Sequence, residues 1–425
     1  MFSYEKKDIT TYFENELQNM NNIVPFIKNK YYLEEIQRNL KNTLGNIVNN
    51  IDIQQKTFTK IEYYKDHTFA KIVKSVRLLT PIHNYQNAEI YELFHYNSEL
   101  YNIFNSVDLK SIFHKLEIEH ISTDLLGRFI HPIIFNEITK LSNIYVIEAL
   151  FNTNKVTLKI YCNKINYLLI VIIFIKIFLF METFTVKNKD ILIHLYFTNQ
   201  TKKIPLQKSI LTSYEINSGL TIHKLNKQPT IHIFREEEIE KVILHELIHA
   251  LNIDLRIRIG YDNYEYKLKC RYNVSKQNTI NIFEAYTESL ALLYNTLFNS
   301  LLTQEPFLKM YRNEILFNLY QCCKIVNFYN QSIHTIFSEY NCADGNDKWL
   351  EKTSVFAYFF LKTITAINIV EFLRTINTTQ EYYDFLINYS SSFFSLLVKL
   401  DNQLRSNFKN RSLRMTLYEF NYKTI

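Results

Sequence analysis

The chain has 425 residues, 47% of them hydrophobic, and 48 Lys and Arg against 42 Asp and Glu give it a formal net charge of +6. Its five glycines lie too far apart for a GxGxxG dinucleotide turn or a GxxxxGK[ST] phosphate loop, which excludes those two kinds of nucleotide site. The basic residues form no clear stripe, so we expect no nucleic-acid partner, and we interpret the basic stretch 405–414 as a solvated helix face.

The start of the chain and its cysteines indicate an intracellular protein. Residues 1–13 lack the apolar stretch that a secretory signal peptide needs. The cysteines are odd in number, and Cys322 and Cys323 are adjacent, which is a poor geometry for pairing with each other. We therefore predict free thiols rather than a disulfide framework.

In chain order, residues 1–150 come first, and their apolar residues recur at three-to-four spacing, which predicts a helical N-terminal region of unknown role. From about residue 155 the pattern changes to short runs rich in β-branched and aromatic residues, which predict strands. These runs are 155–162, 191–197, 218–224 and 230–234. After residue 236 the spacing is again that of helices, with loops near 256–280 and 340–348.

The segment 165–181 separates the first two predicted strands and is the most apolar part of the chain. Residues 167–181 carry one charge, Lys176, and as a helix they would rise about 22 Å, against about 30 Å of hydrocarbon in a bilayer. We therefore predict a helix buried against the sheet, with Lys176 reaching toward the helix end or the domain surface. A membrane anchor is the alternative.

A predicted helix over 236–252 contains HExxH, formed by His245, Glu246 and His249. Positions i and i+4 of a helix lie on one face, so both imidazoles can bind one Zn²⁺ ion. The carboxylate of Glu246 lies beside them and can act as the general base toward water. This pattern predicts a zinc site on the helix.

A third ligand has to come from elsewhere in the chain. The positions that hold glycine and the third histidine in metzincins are Asn252 and Leu255, so a metzincin site is not predicted. Asp254 is interpreted as a residue that orients a ligand. Downstream, Glu284 and Glu288 lie four apart on one helical face, so one can bind the metal while the other accepts the ring N–H of a ligating histidine.

HELIHA followed by a helix with EAxxE resembles the gluzincin metallopeptidases, whose thermolysin-like members carry Asn-Glu-Ala-x-x-Asp as their second motif. This resemblance implies that Glu284 is the third ligand and that Glu288 orients a histidine. Phe283 stands where that motif has Asn, so the match is partial. The stretch from about 155 to 300 also looks like metallopeptidase-like proteins encoded by large DNA viruses, which implies the host cytoplasm or a virion.

We therefore expect an α+β, zincin-like metallopeptidase domain over 151–425, with a small mixed sheet beside the HExxH helix within 151–255 and a mainly helical subdomain over 280–425. The expected reaction is endopeptidase hydrolysis of a peptide or protein substrate, with Zn²⁺ as the only cofactor. Two alternatives remain open: a zinc-binding structural or virion protein without turnover, and a membrane-associated structural protein. The oligomeric state is not predicted.

Two further features are expected around the site. By analogy with zincins, an edge strand formed by 218–221 or 230–234 would pair with the substrate backbone. A donor that stabilises the oxyanion is expected among Tyr261, Tyr264, Tyr266, His334 and Tyr358.

Three of the five glycines, Gly219, Gly260 and Gly345, lie around the predicted site. Glycine is the one residue without a Cβ atom, so it is used where the backbone must approach another group closely. We expect these glycines at positions where no side chain fits.

Overall fold

The computed structural model describes residues 5–6 and 130–421 except for short gaps, so most of the predicted helical N-terminal region lies outside the described residues. The gaps are 142, 152, 165–166, 208, 224–227, 259–261, 276–277, 304, 338–348, 405–407 and 409. A short strand β1 (Glu5–Lys6) pairs antiparallel with the last strand, β7 (Phe420–Asn421).

The main sheet has five strands and both parallel and antiparallel neighbours. The strands are β2 (Asn143–Phe151), β3 (Asn154–Cys162), β4 (Ile191–Tyr196), β5 (Gly219–Ile222) and β6 (Thr230–Ile233). Their spatial order is β2–β3–β4–β6–β5, in which β3, β4 and β6 run parallel while β2 and β5 pair antiparallel with their neighbours. Strand β5 therefore lies at one edge of the sheet.

Among the strands predicted from the sequence, β3 shows most clearly an alternation of buried and partly exposed residues. In β3, the fully buried Val156, Leu158 and Ile160 are separated by residues that remain partly exposed, which is the period of two expected for a strand. All four predicted runs form strands with ends within two residues of the predicted ones.

Helix α2 (Tyr167–Thr183) connects β3 to β4 and lies in the core, which confirms a buried helix here. No helix in the described part of the chain is both long and apolar enough to cross a membrane. The prediction that Lys176 reaches toward the surface was wrong. Its ammonium group is fully buried and donates hydrogen bonds to Glu240, Asn295 and Asn299, so partners inside the core satisfy its charge.

The rest of the described chain is mainly helical. Two short helices accompany the sheet: α1 (Pro132–Ile138) and α3 (Ser213–Ile216). The HExxH helix is α4 (Ile239–Ala250). It is followed by α5 (Leu255–Arg258), α6 (Asp262–Arg271), α7 (Ile282–Thr303), α8 (Phe307–Phe328), α9 (Ile333–Ile336), a π-helical turn (Ala357–Leu361), α10 (Lys362–Ile367), α11 (Ile369–Thr375) and α12 (Thr379–Leu404).

This arrangement confirms an α+β fold with a small mixed sheet beside the HExxH helix and a mainly helical C-terminal part. Strand β2 corrects the expectation that the chain is helical up to residue 150. It forms a hairpin with β3, so the sheet begins before the boundary predicted between 150 and 151. Periodicity alone missed it, because a nearly continuous apolar run does not distinguish a strand from a helix.

The cysteines and the basic C-terminal stretch also differ in part from expectation. Cys162, Cys322 and Cys323 are free and buried, as predicted for thiols in a core, but Cys270 is disulfide-bonded. In the C-terminal stretch, Arg414 is fully buried in an extended segment, so the interpretation as a solvated helix face was wrong there.

Candidate metal centre

Helix α4 begins later than the sequence predicted. Glu238, the residue before it, has left-handed backbone dihedrals with φ of 60°, so the glutamates before Ile239 precede the helix instead of forming its first turn. The carboxylate of Glu238 is buried and lies 2.9 Å from Nζ of Lys202. All residues of α4 from Ile239 to Ala250 are buried, which places both histidines inside the molecule rather than on its surface.

The two histidines of α4 converge with a carboxylate from α7. The Nε2 atoms of His245 and His249 lie 3.0 Å apart. Oε2 of Glu284, in the first turn of α7, lies 3.3 Å from Nε2 of His245 and 3.6 Å from Nε2 of His249. These three residues could together hold a metal ion.

Each imidazole has a carboxylate on its other nitrogen. Oε1 of Glu288 lies 3.1 Å from Nδ1 of His245, and Oδ2 of Asp254 lies 2.8 Å from Nδ1 of His249. A carboxylate at Nδ1 favours the tautomer that carries its hydrogen there, which leaves the lone pair of Nε2 free. Nη2 of Arg258 also lies 2.6 Å from Nδ1 of His249, but only the carboxylate accepts a hydrogen from that nitrogen.

The charges at this point favour a cation. Burial by itself lowers the pKa of His249, but Glu284 and the hydrogen bond to Asp254 outweigh it and raise the pKa to about 10. Burial also lowers the pKa of His245, but the hydrogen bonds to Glu284 and Glu288 outweigh this effect, so the pKa is raised overall. Burial tends to raise the pKa of Glu284, yet the two imidazoles hold it below its usual range. The carboxylates around the two imidazoles therefore favour a positive charge at this point.

The distances suit a small ion with nitrogen and oxygen ligands. Ligand atoms at about 2.0–2.1 Å from Zn²⁺ in a tetrahedral arrangement lie about 3.3 Å from one another. The three donor atoms of His245, His249 and Glu284 are separated by 3.0, 3.3 and 3.6 Å. The residues therefore fit such an ion, although their role as ligands stays a prediction.

Glu246 lies beside this group and is held by the edge strand β5. Its Oε2 accepts a hydrogen bond of 2.7 Å from the hydroxyl of Thr221. A Cβ atom on Gly219 would lie 2.7 Å from Oε1 of Glu246 and 3.0 Å from a methyl of Val242, so a side chain there would displace the Glu246 carboxylate, in line with the prediction for this glycine. Burial raises the pKa of Glu246, although the imidazoles and Thr221 oppose the shift. Gly260 and Gly345 lie outside the described residues.

Among the described residues, Tyr358 is the candidate oxyanion donor that lies at the site. Its hydroxyl donates a 3.1 Å hydrogen bond to Oε2 of Glu284, and its ring centroid lies 6.1 Å from that of His245. Burial raises its pKa well above the ordinary value, which keeps the hydroxyl protonated. Tyr264 packs on Tyr383 and Tyr266 is mainly exposed. His334 packs on Phe394, and Tyr261 lies outside the described residues.

Two further groups around the centre were missed in the sequence. Lys241, one turn before His245, is buried and contacts both oxygens of Glu288. The extended segment 411–419 passes beside the start of α4, where Glu238 accepts the backbone N–H of Thr416 at 2.7 Å. A lysine next to Glu240 in a helical stretch and a segment without periodicity carry no local signal for such contacts.

Comparison with known proteins shows similarity to a viral protein and gives no activity. The chain is similar to an uncharacterized protein of Acanthamoeba polyphaga mimivirus, with 24% identity over 195 residues, which cover 42% of this chain and 48% of the relative. The match thus spans about half of the relative's length. No family model and no solved structure matches the chain.

Proposed function

We propose that the protein is a zinc-dependent metallopeptidase of gluzincin type with a zincin-like fold, which hydrolyses peptide bonds. The observation that carries this proposal is the convergence of His245, His249 and Glu284 within 3.0–3.6 Å of one another, next to the buried carboxylate of Glu246. The substrate is a peptide or protein, and the viral relative fits the resemblance to proteins of large DNA viruses.

The number of donors favours a catalytic over a structural site. Structural zinc sites are closed by four protein ligands, whereas catalytic sites use three and keep a position for water or substrate. Among the described residues, the cluster that could hold a metal has three members. A Zn²⁺ ion held there would supply Lewis-acid activation of water and of the scissile carbonyl.

The chain's own residues have separate roles. Glu246 takes a proton from water and passes it to the leaving amine, a task that suits its raised pKa. Glu288 and Asp254 hold the imidazoles with Nε2 directed at Glu284. The hydroxyl of Tyr358, one hydrogen bond from Glu284, is the donor for charge that develops on the carbonyl oxygen.

The alternatives have less support. A zinc protein without turnover would not need Glu246, yet Thr221 and Gly219 of the edge strand are fitted closely to its carboxylate. An anchor at 167–181 is not proposed, because α2 lies in the core and its charged Lys176 is paired there.

Metal analysis tests the centre. The purified protein is expected to contain about one zinc ion per chain, while His245→Ala and Glu284→Ala contain little, because each removes one of three ligands. His334→Ala, which changes an exposed histidine on α9, serves as the matched control and keeps the metal. Unchanged zinc content in both ligand variants would contradict the proposal.

Glu246→Gln tests turnover separately from binding. It is expected to retain zinc and to lose the appearance of new N-termini in a denatured protein mixture, because an amide cannot take the proton from water. Glu305→Gln, on a surface ion pair with Lys309, serves as the control. Equal cleavage by Glu246→Gln and the unsubstituted protein would show that the cleavage does not depend on Glu246. It would favour the alternative of a zinc-binding protein without turnover at this site.

A further inference from the structure

We propose that Lys241 is a positioning residue of the metal centre, which acts through Glu288 to fix the ring of His245. This inference rests on the proposed function, since it concerns the same site. It assigns a role to a buried cation that takes no part in metal binding or in proton transfer. The contacts that support it form one continuous chain from Lys241 to the metal-binding nitrogen.

The first link joins Lys241 to Glu288. Lys241 lies one turn before His245 on α4 and is 1% exposed. Its Nζ lies 2.8 Å from Oε1 and 2.6 Å from Oε2 of Glu288, so one ammonium group engages both oxygens of the carboxylate. A carboxylate held at both oxygens cannot turn about its own bond without losing a charged contact.

The second link joins Glu288 to the ligand. Oε1 of Glu288 lies 3.1 Å from Nδ1 of His245, while Nε2 of the same ring lies 3.3 Å from Glu284. The orientation of the carboxylate therefore sets both the tautomer and the direction of the imidazole. Lys241 is the group that fixes this orientation from the side away from the metal position.

The second histidine has the same kind of support, which argues against an accidental contact. Asp254 holds Nδ1 of His249 and is itself contacted by Nε of Arg258 at 2.7 Å. The side chain of Arg258 is 33% exposed, against 1% for Lys241. Because solvent screens the exposed pair more strongly, the buried relay through Lys241 is expected to matter more.

Lys176 provides a matched comparison. It is as buried as Lys241, and from helix α2 it pairs with Glu240, a carboxylate on α4 next to Lys241. Among the described contacts, none joins Glu240 to an imidazole of the centre. Loss of Lys176 should therefore reproduce the cost of removing a buried lysine that pairs with a carboxylate of α4, without disturbing the geometry of His245.

The experiment compares zinc affinity in the full chain, measured by competition with a chromophoric chelator, for Lys241→Met and Lys176→Met. Lys241→Met is expected to weaken zinc binding about tenfold, the lower end of the effect of removing a group that supports a ligand. Lys176→Met is expected to leave the affinity of the folded protein unchanged. With Co²⁺ as the probe, only Lys241→Met should shift the visible absorption bands, which report on ligand geometry.

The outcomes separate this inference from the proposed function. If the unsubstituted chain binds zinc and the two lysine variants bind it equally well, Lys241 has no positioning role, while the metallopeptidase proposal stands. If the unsubstituted chain binds no zinc, the proposed function and this inference both fall. Equal weakening by both lysine variants would also overturn the inference, because it would show a general effect of losing a buried charge.

A double variant keeps the test valid if Lys241→Met does not fold. Lys241→Met combined with Glu288→Gln removes the unpaired buried charge along with its partner, which costs less stability than removing one partner alone. If Lys241 acts through Glu288, the double variant binds zinc as well as Glu288→Gln does. A further loss in the double variant would show that Lys241 acts by another route and would overturn the inference.

Discussion

His249 lies between two carboxylates, and the consequence is a strong preference for a positive charge on or next to its ring. Burial opposes this charge, but Glu284 and Asp254 raise the pKa of His249 to about 10, against an ordinary value of about 6.5. A proton on His249 would therefore compete with a metal ion for Nε2.

This competition predicts the pH dependence of zinc binding. Zinc must displace the proton from His249, so its apparent affinity is expected to keep rising with pH through the range from about pH 7 to about pH 9. An unperturbed histidine, with a pKa of about 6.5, would give a plateau above about pH 7.5. Chelator competition at several pH values, corrected for protonation of the chelator, measures the difference, and a plateau near neutrality would contradict the prediction.

The same shift predicts how the stability of the metal-free protein changes with pH. Because the folded-state pKa is raised, the protonated ring stabilises the fold fully below about pH 6.5, and this contribution is lost as pH rises through about 10. The melting temperature of the metal-free form should fall over that range, whereas Asp254→Asn, which removes one source of the shift, should show a weaker dependence.

At the scale of elements, three neighbouring pieces of secondary structure meet at the centre: α4, α7 and the π-helical turn that carries Tyr358. A π turn inserts one residue into a helix and changes the direction of the side chains near it, and such turns are frequent at functional sites. Here the turn over Ala357–Leu361 accompanies a tyrosine whose hydroxyl reaches Glu284.

Tyr358→Phe tests this element. The variant is expected to keep its zinc and to lose about 10- to 100-fold in hydrolysis, because it lacks a donor for charge that develops in the transition state. Tyr382→Phe is the matched control, since that buried hydroxyl contacts Thr365, 2.9 Å away, and no residue placed in the mechanism. Equal losses in the two variants would show that a missing buried hydroxyl, rather than its position, reduces turnover.

The sequence predicts the candidate metal ligands better than it predicts the residues that hold them in place. HExxH and EAxxE each rest on residues four apart in one helix, so local spacing alone could propose His245, His249 and one of the two glutamates. The choice of Glu284 over Glu288 came from the resemblance to gluzincins. Lys241, Lys176 and Thr221 each contact a residue that is distant in the chain, and local periodicity cannot predict such contacts. Both lysines would ordinarily be expected at a surface, because an isolated lysine is costly to bury.

At the scale of the whole molecule, the segment 411–419 connects the start of α4 to helix α8. Glu238 accepts the N–H of Thr416, and Glu314 accepts those of Leu417 and Tyr418 at 2.8 and 3.2 Å. Ser412 to Glu419 are all buried. Without this segment, two buried carboxylates would lose hydrogen-bond donors, Glu238 just before α4 and Glu314 on α8.

Truncation after Asn410 tests this connection. The shortened chain is expected to bind zinc weakly and to be cut readily by trypsin, since a buried carboxylate that loses its hydrogen-bond donors costs about 1–3 kcal/mol. A synthetic peptide of residues 411–425 added in trans should restore both properties, while a peptide of scrambled sequence should not. Full zinc binding by the truncated chain would show that α4 does not depend on the segment.

The contact between Glu238 and Met415 spans 177 positions of the chain. At synthesis rates of roughly 5–20 residues per second, the ribosome makes Glu238 about 9–35 s before Met415. During this interval the carboxylate of Glu238 can pair with Lys202 but lacks the backbone N–H groups of Met415 and Thr416. Metal loading is therefore expected to follow synthesis of residue 419.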